Sequence, residues 1–146
     1  MSARTKARKR ALDILYAADV RQTTIPESLA AEAQRAASEP ARMASWLYAR
    51  EIVDGVVDHR EEIDELIETY SQGWTLKRMP VVDRAILRIG IWEILFNDAV
   101  PHAVAIDEAV EAAKILSTDD SAGFVNGLLG RIAQTAPPAP AAPAAS

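Results

Sequence analysis

The first ten residues of the chain carry a dense cluster of basic side chains and no acid. The cluster comprises Arg4, Lys6, Arg8, Lys9 and Arg10. The following residues continue at helical spacing, so the cluster spreads over one broad side of a helix as a cationic handle. Such a handle binds phosphates by releasing counterions, without base specificity of its own. The alternative is a solvated, frayed terminus, so the cluster alone does not establish nucleic-acid binding.

A second candidate lies near the C-terminus, in the segment DDSAGFVNGLLGRI. Its glycines share one helical face, opposite the apolar face, and are Gly123, Gly127 and Gly130. Glycine inside a helix costs about 1 kcal/mol relative to alanine, so this face needs a physical reason. Phe124, Asn126 and Arg131 flank it with groups that suit stacking, base-edge bonding and phosphate contact on single-stranded RNA. The residues alone favour the alternative, close packing of this face against another helix with Phe124 in the core.

A third candidate is an acidic stretch over residues 51–68, which holds eight carboxylates and His59. A di-iron bundle needs Glu-x-x-His on each of two helices, and this sequence has no such pair. The two histidines, His59 and His102, each lack a second ligand at metal-binding spacing. We therefore expect no metal and no cofactor. The stretch is predicted to be a solvated face, with docking of a basic protein as the alternative.

Composition excludes several other classes of protein. The net charge is −5, but eleven of the sixteen basic residues and all twenty-one acids lie outside the N-terminal cluster, so the rest carries −10. No cysteine is present, and no nucleophile elbow, P-loop or dinucleotide-binding motif occurs, so an enzyme is not expected. Apolar runs are too short for a membrane span or a signal peptide, which predicts a soluble cytoplasmic protein.

Helical periodicity runs through nearly the whole chain, and no stretch alternates as a strand does. We predict an all-α fold of seven helices, the first over residues 4–20 with Ala11, Leu12, Leu15 and Tyr16 turned inward. Residues 81–96 are apolar around the whole circumference, so that helix belongs in the middle of the bundle. Pro26, Pro40, Pro80 and Pro101 are each predicted to begin a helix. Residues 1–134 are read as one helical domain, and the Pro/Ala-rich residues 135–146 as a disordered tail.

Specific motifs then point to a family. ALDILY follows the basic cluster, DRAILRIGIWE lies in the central helix, and AIDEAVEAAK and FVNG follow in that order and spacing. Over residues 4–132 the chain closely resembles the NusB family of bacterial transcription antitermination factors. The resemblance implies a seven-helix bundle of two helical subdomains that binds RNA without catalysis. It also implies pairing with the ribosomal protein NusE on the boxA element of ribosomal RNA leader transcripts, within the RNA polymerase antitermination complex.

The resemblance also implies an RNA-binding surface. With it, we expect the glycine face to be open to RNA and not packed against another helix. The candidate RNA residues are Arg4, Lys6, Arg8, Lys9, Arg10, Tyr16, Asp83, Asp120, Phe124 and Asn126. The basic arm is shorter than in some members, and the Pro/Ala tail is not a family feature. Two alternatives remain: a relative of the N-terminal domain of ribosomal RNA cytosine methyltransferases, and a helical protein-binding adaptor. Whether the free protein is a monomer or a homodimer stays open.

Overall fold

The computed structural model describes residues 2–136, which form seven α-helices, two single-turn 3-10 helices and no strand. The α-helices are α1 (Ala3–Asp19), α2 (Ile25–Ser38), α3 (Met43–Asp58), α4 (Arg60–Tyr70), α5 (Val81–Phe96), α6 (His102–Leu116) and α7 (Asp119–Thr135). The all-α, seven-helix prediction is thereby confirmed. The predicted tail falls almost entirely on residues 137–146, which lie outside the described part of the chain.

The helices pack as two groups that share α5. One group consists of α1, α2 and α3, and the other of α5, α6 and α7, with α4 lying against α5 and α7. Helices α1 and α3 also contact α5, so α5 belongs to the interior of both groups. This arrangement agrees with the two helical subdomains that the family resemblance implies. No helix within residues 2–136 is both long and apolar enough to cross a membrane.

The central position predicted for α5 follows from its apolar circumference. Eleven of its sixteen residues are buried, and they include three charged ones, Asp83, Arg88 and Glu93. A charged side chain removed from water is stable only when a partner compensates it. The partners of these three residues lie on α1, α3, α4 and α7, and they fix how the neighbouring helices sit on α5.

The helix starts agree with the prolines only in part. Pro80 and Pro101 immediately precede α5 and α6, and Pro26 is the second residue of α2. Pro40 instead opens a 3-10 turn, Pro40–Arg42, because the Arg42 N–H donates to the Glu39 carbonyl at the short i, i+3 spacing. The prediction that the third helix begins at Pro40 is therefore wrong, and α3 begins at Met43.

Three of the four residues predicted to turn inward on α1 are buried. Ala11, Leu12 and Leu15 are buried as expected, but Tyr16 is 39% exposed and Ile14 is buried in its place. The inward orientation predicted for Tyr16 is wrong because the apolar stripe follows Ala7, Ala11, Ile14 and Leu15 around the helix. Tyr16 therefore lies at the surface, where RNA can reach it.

The packing of α3 on α5 depends on Gly55 of α3. A Cβ atom placed on Gly55 would lie 1.9 Å from Nε1 of Trp92, so the α5 indole occupies the space that any side chain would need. A Cβ on Gly90 would likewise lie 2.8 Å from the Leu129 side chain of α7. These two glycines, which sequence reasoning did not single out, are the ones that packing requires.

Candidate RNA-binding surface

The basic half of α1 divides into exposed cations and cations held by the fold. Arg4, Lys6 and Lys9 are exposed, whereas Arg8 is buried and Arg10 is half-buried. The difference follows position on the helix, because Arg8 stands at i, i+4 and i+7 with the core residues Leu12 and Leu15. The side chain of Arg8 therefore points toward α5 and α6.

Arg8 is tied to carboxylates of two other helices. Its Nε donates to both oxygens of Glu93, at 2.9 and 3.1 Å, and its Nη1 lies 3.3 Å from Glu108 Oε1. Its side chain is only 10% exposed and that of Glu93 only 1%. The expectation that Arg8 belongs to the exposed cationic side of the helix is therefore wrong. Arg8 positions α1 on α5, and a phosphate would have to displace two carboxylates to reach it.

Tyr48 of α3 completes this buried cluster. Its hydroxyl donates to Glu93 Oε2, and it accepts a hydrogen bond from Asn97 Nδ2 at 3.0 Å. Burial, together with the hydrogen bond to Glu93 and the charge of that carboxylate, raises the pKa of Tyr48 far above its usual range. Burial alone would lower the pKa of Arg8, but the bond to Glu93 and the acidic charges outweigh it and raise that pKa. Arg8 stays charged and Tyr48 stays neutral, so the cluster persists at physiological pH.

Arg10 also faces neighbouring helices. Its Nε donates to Ser45 Oγ of α3 at 3.1 Å, and its Nη1 lies 3.7 Å from Glu32 Oε2 of α2. These contacts hold α1 against α2 and α3. Like Arg8, Arg10 is better explained as a residue that positions the helix than as a phosphate contact.

The three remaining cations face solvent with little to hold them. Lys6 forms no ion pair with any residue between 2 and 136. Lys9 pairs with Asp13 on the same helix at 2.6 Å, an exposed pair of the kind that contributes little. The Arg4 guanidinium lies 4.6 Å from the centroid of the Tyr48 ring, a cation–π distance. These side chains remain the candidate phosphate contacts of α1.

The other end of α1 lies beside the first turns of α5, which in turn contact the start of α7. Asp19 Oδ2 is 3.1 Å from Arg88 Nη1 and 3.4 Å from Arg84 Nε, which joins the end of α1 to the first turns of α5. Asp83 is buried in the first turn of α5 and accepts a hydrogen bond from Ser121 Oγ of α7 at 2.7 Å. Its other oxygen is buried without a hydrogen-bond partner in the described residues. Exposed Asp120 stands next to Ser121, at the start of α7.

The glycine face of α7 is open. A Cβ on Gly123 or Gly130 would meet nothing within 4 Å, and one on Gly127 would meet only the Arg131 side chain, at 3.3 Å. The close packing favoured by the residues alone is therefore wrong within the described structure, because no other helix covers this face. Phe124 is half-buried against the core at the edge of the face, and Asn126 is exposed.

Trp74 is the residue of this surface that sequence reasoning missed. It is 55% exposed in the loop between α4 and α5, and its ring lies 6.1 Å from that of Phe124, tilted by 36°. A tryptophan beside a glycine, with Lys77 and Arg78 in the same loop, was a sequence signal for an exposed aromatic. The contact with Phe124 could not be read from the sequence, because fifty residues separate the two positions.

Comparison with known proteins identifies the family. The family model described as the NusB family matches residues 5–134. The transcription antitermination protein NusB of Leifsonia xyli is 77% identical over 137 residues, which cover 94% of this chain and 95% of that protein. The chain belongs to the NusB family. Among solved structures, NusB of T. maritima aligns with a TM-score of 0.79 at 31% identity, covering 94% of this chain and 95% of that chain.

A second solved structure is a crystal structure of the antitermination factors NusB and NusE in complex with double-stranded RNA. It aligns with a TM-score of 0.77 at 28% identity and covers 92% of this chain and 98% of that chain. In the present NusB-family member most candidate residues fall into two patches at opposite ends of α5. The first patch consists of Arg4, Lys6 and Lys9 on α1, and the second consists of Asp83, Asp120, Phe124 and Asn126 at the starts of α5 and α7. The position of Glu93, beside the basic half of α1, lies about 15 Å along the helix from that of Asp83.

Proposed function

We propose that this chain is a transcription antitermination factor that binds the boxA element of ribosomal RNA leader transcripts together with NusE. Bound in the RNA polymerase antitermination complex, it promotes read-through of terminators in ribosomal RNA operons. Its relatives named transcription antitermination protein NusB match it over almost their whole length, and the related NusB–NusE complex was solved with RNA. The protein takes part by binding and not by catalysis, and it acts in the cytoplasm, where bacterial transcripts are made.

The observation that carries the proposal is the presentation of Arg4, Lys6 and Lys9 on a helix that is rigidly held. The ion pairs of Arg8 fix α1 to α5 and α6. The exposed cations therefore stand at fixed positions, and the carboxylates that hold Arg8 do not neutralise them. Each cation that meets a phosphate releases counterions, which gives affinity that falls as salt rises. This patch supplies sequence-independent attraction, and we assign base reading to the second patch and to NusE.

A titration of labelled boxA RNA, with and without NusE, tests the proposal. We expect tighter binding when NusE is present, weaker binding of a scrambled RNA, and a linear decrease of log K with log salt. The proposal would be rejected if RNA binding were insensitive to salt, or if the protein bound neither boxA RNA nor NusE. Binding of NusE with no affinity for RNA, either alone or in the presence of NusE, would favour the protein-binding adaptor instead.

Lys6→Ala measures the share of the basic patch. We expect the slope of log K against log salt to fall by about 1 in magnitude, with a similar affinity loss for every RNA sequence. Arg50→Ala is the control, since Arg50 is an exposed cation of α3 outside the candidate surface. If both variants change the slope equally, the attraction comes from overall charge and not from α1.

The methyltransferase alternative has its own test. The relatives that cover this chain are named as antitermination proteins, which favours the non-catalytic role. Transfer of a methyl group from S-adenosylmethionine to ribosomal RNA by the purified protein would overturn it.

A further inference from the structure

Trp74 and Phe124 form an aromatic pair at the surface, at the edge of the open glycine face. Their ring centroids are 6.1 Å apart and the planes are inclined by 36°, within the range of favourable aromatic pairs. Phe124 is anchored against the core, whereas more than half of the Trp74 surface meets solvent. The pair thus has one fixed ring and one ring that offers free area.

The exposure of Trp74 is set by the backbone around it. Gln72 and Gly73 both have positive φ, 56° and 97°, which turns the chain sharply after α4. The Ser71 hydroxyl donates to the Trp74 carbonyl, and Arg131 Nη2 of α7 donates to the Tyr70 carbonyl at 2.9 Å. The end of α4 is therefore fastened to α7 and the loop is fastened to the end of α4, so the indole is held outward instead of folding into the core.

The surroundings of the pair suit RNA better than an apolar protein surface. Lys77 and Arg78, three and four residues after Trp74, are exposed and form no ion pair within residues 2–136. Exposed Asn126 offers an amide, and Gly123 leaves open space beside the Phe124 ring. Asp119 and Asp120 lie on the same end of α7, so the phosphates belong on the side of Lys77 and Arg78, and the bases on the rings.

We infer that Trp74 is a base-stacking residue, which together with Phe124 takes an unpaired base of single-stranded RNA while Lys77 and Arg78 contact the adjoining phosphates. An indole accepts any base by its π-face, and flanking cations supply the backbone contact that single-stranded RNA requires. The inference rests on the proposed function and deepens it, since it names the unpaired base as the feature that the second patch recognises.

The test compares Trp74→Ala, Trp74→Phe and the matched control Val57→Ala in binding to single-stranded boxA RNA and to a duplex of the same sequence, each with NusE. Val57 is 46% exposed on α3 and is separated from Trp74 by the whole of α4, about 16 Å. For Trp74→Ala we expect a loss of single-stranded affinity of roughly five- to 150-fold, typical of one lost base stack. Trp74→Phe should recover most of it, the duplex should respond less, and Val57→Ala should bind as the wild type does.

Tryptophan fluorescence gives an independent readout, because Trp46 and Trp92 are only 7% and 5% exposed. Acrylamide should therefore quench Trp74 selectively, and bound RNA should protect it. The inference is overturned if Trp74→Ala binds RNA as tightly as the wild type does, or if bound RNA does not change the acrylamide quenching of Trp74. The proposed function stands in both cases. A loss of NusE affinity without RNA would assign the surface to the protein partner and overturn the inference too. Failure of the wild type to bind RNA overturns both.

Discussion

The basic half of α1 and the glycine face of α7 differ in what controls access to them. On α1, long cationic side chains lie close to acids of neighbouring helices, and Arg8 is drawn into contacts with Glu93 and Glu108. On α7, Gly123 and Gly130 present bare backbone that no neighbour approaches. A cation is available for RNA only if no carboxylate of a neighbouring helix holds it, whereas a glycine face is available only if no helix packs on it.

The two regions also divide the work expected of an RNA surface. The exposed cations of α1 attract phosphate without regard to sequence, and the aromatic pair near α7 can hold a base. The buried cluster around Glu93 belongs to neither function, yet it determines where the cations stand. The substitutions below are arranged to separate these contributions, from the largest expected effect to the smallest.

Glu93→Ala should have the largest effect on stability. It leaves the buried Arg8 guanidinium with only Glu108, and the Tyr48 hydroxyl without its acceptor, so we expect a loss of about 3–5 kcal/mol in the free energy of unfolding. Urea denaturation measures it, and Glu111→Ala, which removes an exposed acid from α6, should stay within about 0.5 kcal/mol.

A double variant makes this test sharper. Arg8→Met combined with Glu93→Leu replaces the ion pair by apolar side chains and should recover much of the lost stability, because an unpaired buried charge is what Glu93→Ala leaves behind. If Glu93→Ala alone costs less than about 1 kcal/mol, Arg8 reaches solvent easily. Arg8 would then return to the candidate phosphate contacts, and the contrast between the two regions would fail.

Gly55→Ala is expected to come second. The added methyl would overlap Trp92, whose Nε1 lies 1.9 Å from the new Cβ position, and this indole is itself buried. Overpacking of this kind costs about 1–3 kcal/mol. Thermal and urea unfolding measure the loss, and RNA affinity of the folded protein should not change. A neutral substitution would mean that α3 and α5 are less tightly packed than the structure shows.

Part of this fold could be predicted because local pattern is enough for it. The predicted span of the central helix, residues 81–96, coincides with α5, and Val125, Leu128, Leu129 and Ile132 of α7 are buried as the periodicity indicates. A helix that is apolar around its whole circumference is buried on all sides, so the charged side chains that it carries must find partners inside the protein. Applied to Glu93, this reasoning predicts a buried cation on a neighbouring helix.

The rest depends on which helix meets which. Arg8 and Lys6 belong to the same basic cluster, but the docking of α1 on α5 gives Arg8 its carboxylate partner and leaves Lys6 exposed. The register at Arg8, i, i+4 and i+7 with Leu12 and Leu15, was the one local sign of the difference. Likewise, sequence identifies the glycines of α7 but not whether a neighbour covers them, which depends on long-range packing. The RNA roles of Tyr16, Asp83, Asp120, Phe124 and Asn126 remain predictions.

Gly123→Ala should have the smallest effect, with the opposite sign from Gly55→Ala. Because nothing lies within 4 Å of its Cβ position and the residue is helical, alanine should stabilise the fold by about 0.4–1 kcal/mol. The same methyl would intrude on a base stacked beside Phe124, so we expect boxA RNA to bind more weakly to the more stable protein. Urea denaturation and the RNA titration measure the two effects on one variant.

Gly130→Ala is the matched control, since it lies on the same open face about 10 Å farther along α7. It should give a similar gain in stability with a smaller loss of RNA affinity. A loss of stability in Gly123→Ala would show that a neighbour does use this face. A gain in stability with unchanged RNA affinity would confine the base contact to Trp74 and the far side of Phe124, and the glycines would then be explained by neither packing nor RNA.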